Sequence, residues 1–332
     1  MRSVEACFYA FSINAAAALL VGCGGSQPPI GVPATMPQSR ATITHAERGR
    51  SWMLPEAKGE NLIYADSPDL GNTYVFSYPN GKLVGTITGG TQIQGSLCSD
   101  AHGDVFVTGV NGSGLGLIYE YAHGSTTPKE VLQEEGVWPD GCSSDPTTDN
   151  LAVSAWNWVS GVSGVNVYQK ARGTPTYYED AVIIDYAYCG YDNSGNLFIN
   201  GQGSGYDMYF AELPRGAGGF INLKFDKYVN YFDMGQIQWD GHQITLEDFS
   251  VRAIYRIVVS GFYARTVAVT HLRRWNAGSI ALSWIVGDHA VAATGAQDSE
   301  IDAWPYPRSG KPAKIATAPG NVFSVAYSAA KR

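Results

Sequence analysis

The stretch AYCGYDNSGNLFIN, residues 187–200, contains the pattern that decides the fold. In it a short segment ends at Asp192, a glycine turn follows, and an apolar segment begins at Leu197. The pattern recurs with its shared aspartate at Asp100, Asp145, Asp192, Asp240 and Asp288, so successive units are 45 to 48 residues apart. Repeats of about 40–50 residues with four strands each are typical of β-propeller blades.

Each unit continues with a third strand and then a fourth, joined by a hairpin that contains glycine. The third strands are predicted at residues 117–121, 165–168, 208–211, 253–257 and 301–304. The hairpin glycines include Gly124, Gly173, Gly216 and Gly310. Glycine suits these hairpins because their turns require positive φ angles.

The two ends of the repeat region complement each other. The N-terminal unit has three predicted strands and lacks its innermost one; they lie at residues 62–65, 74–78 and 83–87. At the C-terminus, one further strand is predicted at residues 321–327, and it belongs to no complete unit. We therefore expect an all-β, six-bladed β-propeller with four-stranded antiparallel blades, in which the C-terminal strand joins the N-terminal blade and closes the ring. Closure removes the sheet edges that an open array would expose.

Composition supports a folded domain and argues against one class of partner. The chain of 332 residues is 45% hydrophobic and 16% charged, which provides a large core. Its net charge is −8 and it has no cluster of Lys and Arg. Nucleic-acid binders carry a basic face, so we do not expect nucleic acid as a partner.

The N-terminus predicts export. Residues 8–22 are mostly apolar, too short for a membrane span of about 20 residues but of the length of a signal-peptide core. The following Leu-Val-Gly-Cys, which ends at Cys23, resembles the bacterial lipobox, and that resemblance implies cleavage and lipidation at Cys23. The alternative is an ordinary signal with a chance cysteine. We expect a signal peptide at 1–22, a Pro- and Gly-rich flexible tether at 23–60 and the propeller at 61–328.

The chain resembles bacterial lipoproteins that carry NHL-like or YncE-like six-bladed propellers. The resemblance rests on Cys-x-x-Asp, on Gly-Asn-Leu-Phe at 195–198 and on Tyr-Pro-x-Gly-Lys at 78–82, and it covers roughly residues 61–328 together with the lipobox. It implies an exported protein of the cell envelope, periplasmic or surface-exposed, anchored to the membrane through Cys23. We also expect a monomer. It implies no particular activity, because propellers carry many functions.

Two residue types recur at equivalent points of the units. Cys98, Cys142 and Cys189 lack the close spacing of zinc ligands, and bridging between neighbouring innermost strands is doubtful, so we expect small buried side chains rather than a metal or redox site. The recurring aspartates could bind calcium, but their presence in every unit favours turns in which Asp accepts hydrogen bonds from backbone N–H groups two residues on.

The residues that precede each innermost strand are expected to face the mouth of the central channel. They are polar and partly acidic: Gln94, Asp140, Asp185, Tyr186, Asp233 and Asn276. Converging carboxylates could hold a divalent cation, and the alternative is a water-filled channel lined by ordinary loop ends.

Aromatic residues are concentrated in the third and fourth units and their connecting loops. They are Trp138, Trp156, Trp158, Tyr177, Tyr178, Tyr186 and Tyr188. Such residues can form a binding platform for sugars or proteins, or they can pack between blades.

We therefore predict a lipid-anchored binding or scaffold module for a protein, glycan or small ligand, with no cofactor. The alternative is a metal-dependent hydrolase or lyase, similar to lactonases, with a cation near Asp140, Asp185 and Asp233. Whether the protein is an enzyme stays open at this point.

Overall fold

The computed structural model describes residues 49–331, except for 93–94, 157–162, 206, 227–233, 274–279 and 295–298. The described residues form β-strands and two 3₁₀ helices, Pro55–Gly59 and Gln169–Ala171. In this part of the chain no helix is long and apolar enough to cross a membrane. The fold is all-β, as the repeat predicts.

The strands of the first three units are β1 (Trp52–Met53), β2 (Leu62–Ser67), β3 (Asn72–Ser77), β4 (Leu83–Thr88), β5 (Leu97–Ser99), β6 (Val105–Val110), β7 (Gly116–Tyr121), β8 (Pro128–Glu134), β9 (Trp138–Ser144), β10 (Leu151–Trp156), β11 (Ser163–Tyr168) and β12 (Thr176–Tyr178). The remaining strands are β13 (Asp185–Tyr191), β14 (Leu197–Gln202), β15 (Met208–Leu213), β16 (Ile221–Phe225), β17 (Met234–Trp239), β18 (Ile244–Asp248), β19 (Ala253–Ser260), β20 (Tyr263–His271), β21 (Trp284–Val286), β22 (His289–Thr294), β23 (Ser299–Pro305), β24 (Ala313–Ala318) and β25 (Ser324–Ser328).

Consecutive strands pair antiparallel within each unit. Three sheets have four strands each, β5 to β8, β9 to β12 and β21 to β24. A sheet of eight strands contains β13 to β16 beside β17 to β20, and its halves join where β16 and β20 pair in parallel at Lys224 with Tyr263 and Phe225 with Ala264. The remaining sheet has the order β1-β4-β3-β2-β25.

The C-terminal strand completes the N-terminal sheet. β25 pairs antiparallel with β2, from Leu62 opposite Ser328 to Asp66 opposite Ser324. It also contacts the next unit, because the Leu97 N–H donates a hydrogen bond to Ser324 Oγ at 2.9 Å. The predicted pairing is confirmed, although the strand lies at 324–328 rather than 321–327.

The innermost strands contact one another in sequence, which is the arrangement of a β-propeller. β25 contacts β5, β5 contacts β9, β9 contacts β13, and β13 contacts β17. Between β17 and β21 the contact is made by Gln238, whose Nε2 donates to the Ser283 carbonyl at 2.6 Å and whose Oε1 accepts from the Ile285 N–H at 2.9 Å. β21 in turn contacts β25.

A buried polar residue on the second strand of successive units joins each innermost strand to the next. Ser154 Oγ accepts a hydrogen bond from the Gly141 N–H at 2.9 Å and donates one to the Ala187 carbonyl of the following unit at 2.6 Å. Thr108 and Asn200 make the equivalent bonds in their own units. These residues could not be predicted from the sequence, because a single polar side chain in an apolar strand produces no repeating pattern.

The innermost strands bulge opposite these residues. The register of β9, β13 and β17 shifts where Ser154, Asn200 and Glu247 face them. Close approach makes glycine necessary at one bulge, since a Cβ on Gly141 would lie 2.7 Å from Tyr188 Cα. Bulges often redirect side chains next to functional sites.

The recurring aspartates stabilise turns. In Asp100, Asp145, Asp192 and Asp240, Oδ1 accepts a hydrogen bond from the backbone N–H two residues on, at 2.8 to 2.9 Å. The predicted turn role is confirmed for these four. Asp288 differs, because its carboxylate contacts His289 Nδ1 at 2.7 Å.

The expectation of unpaired cysteines is wrong for two of the three. Cys98 on β5 and Cys142 on β9 form a disulfide with their Cα atoms 5.7 Å apart. The innermost strands β5 and β9 therefore approach each other closely enough for the bridge between neighbouring innermost strands that the sequence argued against. Cys189 is free and buried, as expected, and burial raises the pKa of its thiol to about 12.

The folded region begins before residue 60. Trp52 and Met53 in β1 pair with Thr86 and Gly85 of β4, inside the segment expected to be a tether. Ala57 in the first 3₁₀ helix is fully buried. The pairing of half-buried Trp52 and Met53 with the first sheet, together with buried Ala57, places residues 52–59 in the domain.

Candidate functional site

The structure describes four of the predicted site residues: Asp140, Trp156, Asp185 and Tyr186. The others lie outside the described residues: Cys23, Gln94, Trp158, Asp233 and Asn276. The site is therefore built from the third and fourth units, to which all four described residues belong.

Asp140 lies in the bulge of β9. Its backbone carbonyl accepts a hydrogen bond from Thr108 Oγ1 at 2.8 Å, which holds the bulge against the preceding unit. Burial, assisted by the nearby charge of Asp185, raises the pKa of Asp140 to about 8. At neutral pH the group is therefore mostly a carboxylic acid that can donate a hydrogen bond.

Asp185 begins β13 and is exposed to solvent. Partial burial also raises the pKa of this carboxyl group. Its negative charge contributes, after burial, to the raised pKa of Asp140. Two acidic groups with raised pKa at one place are a frequent feature of binding and catalytic sites.

Tyr186 does not reach the mouth. Its side chain is fully buried in a core cluster with Ile183 and Cys189, and its hydroxyl accepts a hydrogen bond from the Asp180 N–H. Neighbouring strand residues point to opposite faces, so the exposed position of Asp185 leaves Tyr186 inside. The structure thus corrects the expectation for Tyr186.

Tyr188, which belongs to the predicted aromatic group, lies near Asp140, and Glu247, which no sequence pattern indicated, lies near Tyr188. Tyr188 lies in the bulge of β13, and burial followed by the charges of Asp140 and Glu247 raises its pKa well above the usual value. Glu247 accepts a hydrogen bond from the Ser283 N–H at 3.0 Å, and burial raises its pKa to about 7. Their positions opposite or within a bulge could be found only by aligning the units strand by strand.

Trp138 and Trp156 form an aromatic pair beside this group. They are opposite each other on β9 and β10, with ring centroids 5.2 Å apart and ring planes at 65°. Both side chains are half-buried, so part of each is accessible to solvent. The edge-to-face arrangement is a favourable one for aromatic rings.

Exposed apolar side chains extend this pair toward the fourth unit. Tyr177 is 46% exposed, and its hydroxyl donates to the carbonyl of Ser163, which is opposite Trp156. Val182 and Ile184, in the connection that leads to Asp185, are 40% and 50% exposed. We call the following set the aromatic–acidic face: Trp138, Asp140, Trp156, Tyr177, Val182, Ile184 and Asp185.

The face combines groups that can bind a ligand through apolar contact and hydrogen bonding. Half-exposed rings and aliphatic side chains offer apolar contact, and the protonated carboxyl group of Asp140 offers a hydrogen bond. Within the described residues, no group of three or more His, Cys, Asp or Glu side chains is arranged to hold a metal ion.

Comparison with solved structures supports the fold. A chain in a crystal structure of a nidogen/laminin complex is similar with a TM-score of 0.59 at 10% identity, over 82% of this chain and 100% of that one. TolB from Acinetobacter baumannii is similar with a TM-score of 0.54 at 12% identity, over 89% of this chain and 74% of that one. No protein-family model and no curated protein matches the chain. Both neighbours are β-propellers, and at these identities the likeness shows the fold alone.

Proposed function

We propose that the protein is an exported lipoprotein, anchored to the membrane through lipidated Cys23, whose six-bladed propeller is a binding or scaffold module for a protein, glycan or small ligand. The count of six treats the two halves of the eight-stranded sheet as separate blades. Each half has the four-strand order of the other units, and among the described residues two residue pairs join β16 to β20 in the sheet.

The disulfide supports export. Disulfides persist in oxidising compartments and are rare in the cytosol. The bond between Cys98 and Cys142 therefore agrees with the signal-like segment that precedes Cys23. Anchoring is tested by fractionating cells that express the full chain. We expect the wild type and Cys7→Ala in the membrane fraction and Cys23→Ala outside it; retention of Cys23→Ala in the membrane would contradict lipid anchoring.

The aromatic–acidic face is the observation that carries the binding function. The face combines two half-buried tryptophans, the exposed side chains of Tyr177, Val182 and Ile184, and two carboxyl groups on the third and fourth units. Clustered apolar groups of this kind mark interaction sites, and tryptophan and tyrosine contribute strongly to them. This supports a ligand that covers both the tryptophan pair and the Asp140 carboxyl group.

A photoreactive benzoylphenylalanine in place of Trp156 tests this proposal in the full-length chain. We expect irradiation of cells to give a discrete adduct, and we expect Trp138→Ala in the same chain to weaken it. Phe262, 64% exposed on the hairpin between β19 and β20, is the control position. Absence of an adduct at 156, or equal adducts at 156 and 262, would contradict a binding site at this face.

A metal-dependent hydrolase or lyase is the second candidate. The proximity of Asp140 and Asp185 favours it, and a divalent cation would be its cofactor. Elemental analysis of the purified full chain, with melting curves in EDTA and in added Ca²⁺, separates the two functions. A stoichiometric divalent ion with a lower Tm in EDTA supports the enzyme; the binding module predicts no stoichiometric ion.

A further inference from the structure

A cavity lies between the units β17–β20 and β21–β24, away from the aromatic–acidic face. Its volume is about 1230 Å³, and three segments line it: residues 250–252, 271–273 and 309–312. Hydrogen bonds hold the segments together. The Leu272 N–H donates to the carbonyl of Arg252 at 2.8 Å, and the His271 N–H donates to Ser309 Oγ at 2.8 Å.

The charged side chains that line this cavity are all cationic in the described part of the chain. They are Arg252, Arg273 and Lys311, with His271 beside them. None of them forms a salt bridge with a described carboxylate. The chain as a whole has a net charge of −8, so these cations, which have no described carboxylate partner, form a local region of positive charge. We call it the basic cleft.

The backbone at Arg252 is strained. Its φ angle is +53°, a left-handed conformation that favours glycine over any residue with a side chain. The turn is held by Asp248, whose Oδ1 accepts hydrogen bonds from the backbone N–H of Ser250 at 2.9 Å and of Val251 at 3.3 Å. An arginine at this position presents a guanidinium group to the cleft at the expense of stability, which points to a function.

We propose that the basic cleft binds an acidic saccharide, a sugar chain that bears carboxylate groups. Guanidinium groups bind carboxylates through paired hydrogen bonds, and the hydroxyls of Ser250 and Ser309 suit sugar hydroxyls. The volume exceeds that of an inorganic ion.

This site is independent of the proposed function, and titration calorimetry on the purified full chain tests it. The probes are tetragalacturonate, neutral maltotetraose and tetraglutamate. We expect binding of tetragalacturonate at 150 mM salt, and a loss of affinity of tenfold or more in Arg273→Gln. Arg265→Gln, an exposed arginine of β20 outside the cleft, is the matched control and should bind as the wild type does.

Arg252→Gly separates a binding role from a structural one. Glycine relieves the strained φ, so the variant should melt at the same or a higher temperature while it loses tenfold or more in affinity. The proposal is overturned if tetragalacturonate does not bind, if tetraglutamate binds as tightly, or if the two cleft variants bind like Arg265→Gln.

Discussion

Asp140 makes stability depend on pH in a predictable direction. Its pKa is about 8 in the folded state, above the ordinary value of an aspartate, because it is buried near Asp185. Between about pH 4 and pH 8 the folded protein keeps this proton while the unfolded chain has lost it. Stability therefore falls as pH rises through this range, ideally by about 1.4 kcal/mol per pH unit for one group.

The substitution Asp140→Asn tests this assignment. We expect equal stability of variant and wild type near pH 4, and a gain for the variant that grows toward pH 8 and reaches at most about 5 kcal/mol, measured by urea unfolding across the range. Asp207→Asn, which removes an exposed carboxyl group, controls for the loss of one negative charge. A variant whose pH profile parallels that of the wild type would show that Asp140 is not the buried acid described.

Ser154 provides a second prediction at this scale. Ser154→Ala removes bonds to the Gly141 N–H and the Ala187 carbonyl and leaves both groups buried without their partner. We expect a loss of about 1–3 kcal/mol in the free energy of unfolding. Exposed Ser204→Ala should change it little. Equal stability of the two variants would mean that Ser154 does not join the units.

Individual side chains were the hardest features to predict from sequence. The aspartate turns were predictable because one residue type recurs with a fixed local geometry. Tyr186 was misplaced because an alternating strand pattern does not say which face is inside. The polar residues opposite the bulges differ in type, Ser, Asn and Glu, so their common role becomes visible only with the strand register.

At the scale of strands, the disulfide is the feature with the clearest thermodynamic consequence. It joins β5 to β9 across 44 residues of sequence. Closing a loop of that size in the unfolded chain stabilises the fold by about 2–4 kcal/mol. We expect the double variant Cys98→Ala/Cys142→Ala to unfold at a correspondingly lower urea concentration. Dithiothreitol should destabilise the wild type but not the double variant.

The repeat predicted strand positions well and strand contacts poorly. All five predicted third strands are present, as β7, β11, β15, β19 and β23. The distance between neighbouring innermost strands has no sequence signal, and this is why the cysteine pair was missed. The parallel pairing of β16 with β20 joins residues far apart in the sequence, so a local sequence pattern does not predict it either.

At the scale of the whole molecule, closure rests on one strand. β25 supplies the innermost strand of the N-terminal sheet and contacts β5 of the next unit. Without it, the backbone groups of β2 would be an unpaired edge, open to association with other chains. The sequence predicted this closure because the missing strand and the extra strand lay at opposite ends of one repeat.

Deletion of residues 318–332 is the most direct test of this account, followed by size-exclusion chromatography and thermal unfolding. We predict that the shortened chain associates or loses its cooperative transition, and that a synthetic peptide of residues 318–332 restores a monomeric, cooperatively melting protein. A peptide of the same composition in scrambled order should not restore it. A shortened chain that is monomeric and melts cooperatively like the full chain would contradict the closed propeller.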